Sequence, residues 1–94
     1  MNVNLIKIKE IVSVILKRLY DEYRKAPGKQ IHKDYVFQYT KEEFEKEILQ
    51  KKDFDAATTY MEDTGLIKLT HYIENKDDWV GSITNHGIER AESE

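Results

Sequence analysis

One short stretch decides how this chain of 94 residues folds, and it reads Tyr60-Met61-Glu62-Asp63-Thr64-Gly65-Leu66-Ile67. Before Gly65, apolar residues recur at the three- and four-residue steps of an amphipathic helix, and after it they alternate with polar residues as in a half-buried strand. Glycine readily adopts the left-handed conformation that ends a helix, and Leu66 follows where an apolar residue commonly packs back on the last turn. The stretch therefore predicts a helix, a sharp exit and a strand.

The residues after this stretch predict a β-hairpin and a closing helix. Ile67–Ile73 alternates apolar and polar side chains, a polar cluster follows over residues 75–78, and Trp79–Thr84 returns to the strand pattern. We expect a turn of about four or five residues between the two strands. Thr84 is a typical N-cap residue for a short helix over Asn85–Glu92.

Two helices are predicted before the one that ends at the glycine. The first spans about Asn4 to Lys25, where aliphatic residues recur at helical steps between charged ones, and Pro27-Gly28 ends it. The second is expected from Lys41 to about Lys51, because Thr40 and Glu43 have the spacing of a capping box.

Shorter signals place the start of the third helix and the segment before the second. Asp53 is expected to be the N-cap of the helix that ends at Gly65. Residues 30–38 fit two structures, since apolar side chains on alternate positions suit a strand, while Tyr35-Val36-Phe37 equally suits the start of a helix. We favour a short extended piece or a loose turn.

These elements predict a single domain over residues 1–94, with an α+β fold and one modest core. A chain of this length buries about 60 to 65% of its unfolded surface, which leaves no room for a second core. The predicted core comprises Ile8, Ile11, Val12, Ile15, Leu19, Phe44, Ile48, Phe54, Ala57, Met61, Leu66, Ile67, Leu69, Ile83 and Ile88.

The order of three helices, a β-hairpin wing and a short C-terminal helix resembles that of a winged helix-turn-helix domain. Two local marks carry the resemblance. Gly65-Leu66-Ile67 looks like the exit from the recognition helix into the wing, and Ile83-Thr84-Asn85-His86-Gly87 is similar to the Leu-Thr-x-x-Gly that follows the wing in many members. Both marks have a physical basis, because Gly65 permits the left-handed turn and Thr84 caps the next helix.

A narrower resemblance is to the small YjcQ-like winged-helix proteins, which are associated with prophages. Phe54-Asp55-Ala56-Ala57-Thr58-Thr59-Tyr60-Met61, followed by Gly65, is similar to their third helix. The likeness covers Phe54–Ile67 well and Ile15-Leu16-Lys17 weakly, and it is poor over Lys29–Gln50.

The winged-helix resemblance implies double-stranded DNA as a partner, with the third helix in the major groove. Lysines would meet phosphates, and hydroxyl and amide groups would form neutral hydrogen bonds. The candidate DNA-binding residues are Lys51, Lys52, Thr58, Thr59, Tyr60, Asn75 and Lys76. We therefore expect a small cytoplasmic regulator of transcription of the phage or prophage type.

The charge distribution supports a second hypothesis. Residues 1–52 hold 12 basic and 8 acidic side chains, a net charge of +4, whereas residues 53–94 hold 3 basic and 10 acidic ones, a net charge of -7. Asp53–Thr64 contains four carboxylates and no lysine or arginine, and carboxylates repel phosphates. The alternative is a protein-interaction module that presents its acidic third helix and wing to a basic protein partner, without DNA binding.

The first helix carries two further expectations. Its apolar stripe from Leu5 to Tyr23 is about 27 Å long, more than a core of this size usually needs from one helix. The surplus apolar end fits two arrangements: a partner copy buries it in a homodimer, or Val3, Leu5 and Ile6 cover the wing hairpin or fray. Its cations, above all Lys17, Arg18, Arg24 and Lys25, are expected to be free to meet an acidic surface.

Composition argues against an enzyme, a metal site and a membrane span. The three histidines are scattered without metal-ligand spacing, and there are no cysteines and no glycine-rich phosphate loop. We expect no catalytic residues and no cofactor. No apolar run approaches the roughly 20 residues of a membrane-spanning helix, and the first ten residues lack the apolar core of a signal peptide.

Overall fold

The computed structural model describes residues 6–44 and 47–94. Over these residues the chain forms an α+β fold of four helices and one three-stranded antiparallel sheet, which is compatible with a winged-helix-like layout. In chain order the elements are α1 (Ile8–Lys25), β1 (Ile31–His32), α2 (Lys33–Glu43), α3 (Lys51–Asp63), β2 (Ile67–His71), β3 (Trp79–Ile83) and α4 (Asn85–Ser93). None of the helices described is long and apolar enough to cross a membrane.

Helix α1 ends at Lys25, as predicted, and its apolar stripe faces inward. The described helix begins at Ile8, and the predicted start at Asn4 lies outside the described residues. The exposed positions of α1 are all polar, namely Lys9, Glu10, Ser13, Lys17, Arg24 and Lys25. Within Ile8–Lys25, the apolar stripe is therefore covered by the domain itself, and the surplus apolar end that suggested a dimer falls on residues 1–5, beyond what is described.

The sheet has the strand order β1-β3-β2, so the short β1 pairs with the far edge of the hairpin. Ile31 stands opposite Gly81 on one side, and Leu69 stands opposite the same glycine on the other. The hairpin forms as predicted, but its loop is longer. Because β2 ends at His71, the connection comprises the seven residues Tyr72–Asp78, called the hairpin loop below.

The predicted capping box is wrong. Thr40 lies inside α2, fully buried, and its hydroxyl donates to the carbonyl oxygen of Val36 at 2.7 Å. Helix α2 begins eight residues earlier than predicted, and the His32 ring caps it by accepting the amide hydrogen of Asp34 at 3.1 Å. The extended piece favoured for residues 30–38 is correspondingly reduced to the two residues of β1. Val36 and Thr40 lie four residues apart, so a helix places both side chains on one face toward the core. This burial favours a helix over the extended piece.

Two further expectations near α3 are corrected. Gln50, not Asp53, is the N-cap of α3. Asp53 lies in the first turn, where its negative charge interacts favourably with the positive end of the helix dipole. Ile48, predicted in the core, is 87% exposed, and its neighbour Leu49 is buried instead. Residues 47–50 form a connection without helix, so helical periodicity did not apply to them.

The core otherwise follows the prediction. Nine predicted members are buried: Ile11, Val12, Ile15, Leu19, Phe54, Ala57, Met61, Leu66 and Ile67. Five are only partly buried: Ile8, Phe44, Leu69, Ile83 and Ile88. The buried apolar residues that the prediction lacked are Ile6, Leu16, Ile31, Val36, Leu49 and Trp79. Phe54 stands at the centre, with its ring 4.9 Å from that of Phe37 and 6.5 Å from that of Trp79.

The two marks that carried the resemblance meet in space. Gly65 has a φ of 77°, and the amides of Gly65 and Leu66 donate back to α3 at 3.1 and 2.8 Å, which is a Schellman C-terminus. Thr84 accepts the amide hydrogen of Gly87 at 3.0 Å, so it caps α4 as predicted. Its hydroxyl donates to the carbonyls of Gly65 and Leu66. The end of β3 is thereby bonded to the exit from α3.

Candidate nucleic-acid interface

Helix α3 presents a narrow exposed stripe to solvent. Its members recur at helical steps, and they are Lys52, Ala56, Thr59, Tyr60 and Asp63. The opposite face is buried against the core. The stripe carries a cation at its N-terminal end, a carboxylate at its C-terminal end, and neutral side chains between them.

Thr58, one of the predicted DNA-binding residues, does not belong to this stripe. It is 3% exposed, and its hydroxyl donates to the carbonyl oxygen of Asp55 at 3.1 Å. The residue lies one position after Ala57 on the core-facing side, so a partner outside the domain does not reach it. Thr59 and Tyr60, which follow directly, are exposed.

The acidic character of α3 is smaller at its surface than in its sequence. The carboxylate of Asp55 lies 2.9 Å from the ammonium of Lys51 and 3.4 Å from that of Lys33. Glu62 faces the ring of His71 at 3.7 Å. The Asp55 carboxylate is thus paired with two ammonium groups, one from α3 itself and one from α2, and the Glu62 carboxylate is turned toward His71 of β2.

Lys51 is consequently less free than the sequence suggested. It is exposed, but its ammonium donates to Asp55, and this hydrogen bond raises the pKa of Lys51 above its usual range. Lys52 is exposed on the stripe itself. Of the two lysines of α3 that were predicted to bind DNA, Lys52 is the better placed.

The hairpin loop packs against the starts of α2 and α3. Lys33, only 8% exposed, donates its ammonium to the carbonyl oxygen of Asp77 at 2.6 Å. The Nε2 atom of His32 lies 3.1 Å from a carboxylate oxygen of Asp78. No sequence signal pointed to the pairing of Lys33 with Asp55, because Lys33, the first residue of α2, fell in a segment interpreted as extended.

Within the hairpin loop, the two predicted residues differ in their freedom. The side-chain oxygen of Asn75 accepts the amide hydrogen of Asp77 at 3.1 Å, so it is used to shape the turn. The backbone carbonyl of Lys76 contacts Nδ1 of His71 at 2.8 Å, while the residue itself is exposed. Lys76 can therefore present its ammonium outward from a fixed backbone.

An open cleft of about 460 Å³ lies between the hairpin loop and the first residues of α2 and α3. Lys33 and Lys51 stand on one side, Asn75 and Asp77 on the other, and the edges of Phe37 and Phe54 form its apolar part. The cleft marks the boundary between the loop and the helices. Lys33 bridges it.

One expected free cation of α1 is engaged within the domain. Arg18 donates to the hydroxyl of Tyr35 at 2.6 Å, pairs with Glu22 at 3.2 Å, and stacks on the ring of Tyr39 at 3.8 Å. Arg18 is thus a tie between α1 and α2. Lys17, Arg24 and Lys25 remain exposed on the outer face.

His32, Asp34 and Asp78 form a cluster in which one potential ligand atom from each lies within 4.8 Å of the others. The two carboxylates flank opposite ring nitrogens, with Asp34 near Nδ1 and Asp78 near Nε2. Nδ1 already accepts the Asp34 amide hydrogen. This arrangement favours a capped helix start and a bonded loop over a shared ion.

Comparisons with protein-family models, with curated proteins and with solved structures found no match to this chain.

Proposed function

We propose that this chain is a winged-helix protein that binds double-stranded DNA, with α3 in the major groove and the hairpin as the wing. The order of elements and the β1-β3-β2 sheet support this assignment. In the proposed role the protein acts in the cytoplasm as a small regulator of transcription, of the type found in phages and prophages.

The observation that carries the proposal is the exposed stripe of α3. The helix has 13 residues and is therefore about 20 Å long. The major groove of DNA is wide enough to admit an α-helix. Thr59 and Tyr60 supply hydroxyl groups for base edges or phosphates, and the methyl group of Ala56 suits contact with thymine. The central part of the stripe is free of charge, so it meets the groove without repulsion.

In this proposal the phosphate contacts come from the first turn of α3 and from the hairpin loop. Lys52 lies on the first turn of α3, where the positive end of the helix also favours an anion. Lys76 extends from the hairpin loop. Two such contacts give weak binding from one domain, so we propose that a homodimer uses two half-sites.

The test is titration of a labelled duplex of random sequence, followed by fluorescence anisotropy at about 50 and 200 mM salt. Lys52→Glu is the test variant and Lys17→Glu the matched control, because both reverse one exposed lysine but Lys17 lies on the outer face of α1. We expect Lys52→Glu to weaken binding about tenfold or more and the control to weaken it less than about threefold. No binding of the wild type at the lower salt concentration, or equal losses in both variants, would contradict the proposal.

One observation favours the alternative of a protein-interaction module. Ile73, in the hairpin loop, is 95% exposed and has Tyr72 beside it, exposed by 44%. Glu74 and Asp77 follow in the same loop. An apolar tip beside carboxylates suits a basic protein partner with an apolar anchor residue.

A second pair of variants separates the two functions. Ile73→Ser removes the apolar tip without a charge change, so DNA binding through Lys52 and Lys76 keeps its affinity within about threefold. Under the alternative, the wild type binds no duplex at either salt concentration and pulls down a basic protein that Ile73→Ser does not.

A further inference from the structure

We infer that Lys33 is a positioning residue that fastens the hairpin loop to α3, and so sets the distance between the two proposed phosphate contacts, Lys52 and Lys76. This inference rests on the proposed function for its effect on DNA. The fastening itself is a property of the free protein.

Lys33 joins three parts of the fold through one ammonium group. It is the first residue of α2, it donates to the carbonyl oxygen of Asp77 in the hairpin loop at 2.6 Å, and it pairs with Asp55 of α3 at 3.4 Å. The residue is more than nine-tenths buried. A buried ammonium is unfavourable without partners, so the loop carbonyl and the carboxylate hold it in place as firmly as it holds them.

Among the described residues, the hairpin loop has few other contacts with the rest of the domain, and one of them joins the carbonyl oxygen of Lys76 to Nδ1 of His71, the last residue of β2, at 2.8 Å. All of its residues from Tyr72 to Asp77 are exposed. Its internal bonds, such as that from the Asp78 amide to the Asn75 carbonyl at 3.0 Å, shape the turn but do not bind it to the helices. The second fastening is the contact of His32 with Asp78, at the residue next to β3. Of the two contacts that join the loop to the start of α2, that of Lys33 with Asp77 is thus the one closer to Lys76.

Lys51 provides a matched control. It also pairs with Asp55, at 2.9 Å, and it also lines the cleft. Within the described part of the chain, Lys51 donates a hydrogen bond to Asp55 and none to the hairpin loop. Lys33→Met and Lys51→Met each remove one ammonium beside Asp55, but only the first removes the donor to the loop.

Amide hydrogen exchange on the free protein tests the fastening. In Lys33→Met we expect the amides of Tyr72 and Asp78 to exchange about tenfold faster, because their protection depends on a closed loop. In Lys51→Met their rates stay within about twofold of the wild type, and Lys33→Arg, which keeps a charged donor, restores most of the protection. Unchanged exchange in Lys33→Met, or equal acceleration in Lys51→Met, would overturn the inference.

A measurement on the wild type guards against a variant that does not fold. The ammonium protons of Lys33 should exchange with water at least about tenfold more slowly than those of the exposed Lys52, observed by nitrogen-15 NMR. Equal rates for the two ammonium groups would also overturn the inference.

The effect on DNA is tested by a double-mutant cycle. Lys76→Ala is expected to weaken DNA binding in the wild type and to have a much smaller effect in Lys33→Met, where the loop no longer holds Lys76 over a phosphate. Lys52→Ala keeps its full effect in both backgrounds. Independent effects of Lys33→Met and Lys76→Ala would overturn the positioning role. Absence of DNA binding in every variant would instead reject the proposed function and leave the exchange result standing.

Discussion

Thr84 is bonded twice to Leu66. Its amide nitrogen lies 3.1 Å and its hydroxyl oxygen 3.0 Å from the Leu66 carbonyl oxygen. The same hydroxyl accepts the amide hydrogen of Gly87. One side chain therefore caps α4 and ties the end of the hairpin to the C-terminus of α3.

Thr84→Ala removes both functions of the hydroxyl. We expect the free energy of unfolding to fall by about 1 to 2 kcal/mol, since the cap is lost and a carbonyl loses a donor. Thr84→Ser keeps the hydroxyl and should recover most of this loss. Urea unfolding followed by circular dichroism measures both variants, and an alanine variant as stable as the serine one would contradict the cap.

Gly87→Ala should destabilise the domain even though Gly87 lies in a helix. A Cβ atom at this position would collide with the carbonyl oxygen of Leu66, and it would also press on Ile83. We expect a loss of about 1 to 3 kcal/mol. At an open helical site the same change is stabilising by about 1 kcal/mol.

The control for this prediction is His86→Ala, one residue earlier in α4 and exposed. It should change stability by less than about 0.5 kcal/mol. A Gly87→Ala variant that is as stable as the wild type would mean that α4 does not pack closely on the α3 exit.

The sequence predicted best where one residue has one strong local preference. Gly65 and Thr84 are such residues, and the helix end, the hairpin and the closing helix were all predicted around them. The prediction of α2 was wrong because the hydroxyl of Thr40 suits two positions in a helix. The same group that caps a helix start also bonds the carbonyl four residues back inside a helix, and burial of Val36 and Thr40 on one face selects the second.

The candidate interface was predicted less completely than the fold. Exposure of Lys52, Thr59 and Tyr60 follows from helical periodicity once the core side of α3 is known. The pairing of Asp55 with Lys33 does not follow from periodicity, because it joins two different helices. No local sequence pattern determines how these helices pack against each other. The charge sum of the sequence therefore overstated how acidic α3 is at its surface.

Tyr20 links α1 to α4 and should give the domain a specific alkaline response. Its phenol donates to the Glu92 carboxylate at 2.7 Å, and this hydrogen bond raises the pKa of Tyr20 above the usual value of about 10. Because the folded protein holds this proton more tightly than the unfolded chain, the contribution to stability is complete below about pH 10. It is lost as the pH rises through the folded-state pKa.

The measurement is an ultraviolet titration of tyrosine ionisation. Glu92→Gln should lower the pKa of Tyr20 toward the usual value of about 10, and Tyr20→Phe should delete its ionisation step altogether. Glu89→Gln is the control, because Glu89 is an exposed acid of the same helix and should leave the titration unchanged. A pKa of Tyr20 that Glu92→Gln leaves unchanged would contradict the contact.

Asp55→Asn tests whether the carboxylate of Asp55 restrains DNA binding. The change removes the negative charge between Lys33 and Lys51. The pKa of Lys51 should move back down toward its usual value, yet Lys51 stays charged at neutral pH and becomes free to meet a phosphate. We expect binding of duplex DNA at about 50 mM salt to strengthen several-fold, with a salt dependence steeper by about one counterion.

The same change has an opposite effect on the fold. Lys33 keeps the carbonyl of Asp77 but loses its charged partner, so the free energy of unfolding should fall by about 1 to 2 kcal/mol. Asp63→Asn is the control, because it removes a charge of the same sign from the exposed C-terminal end of α3. If Asp63→Asn strengthens DNA binding as much as Asp55→Asn does, the gain reflects net charge alone. If Asp55→Asn weakens binding while the domain stays folded, the carboxylate of Asp55 does not restrain DNA binding, and its pairing with Lys33 supports binding more than a freed Lys51 does.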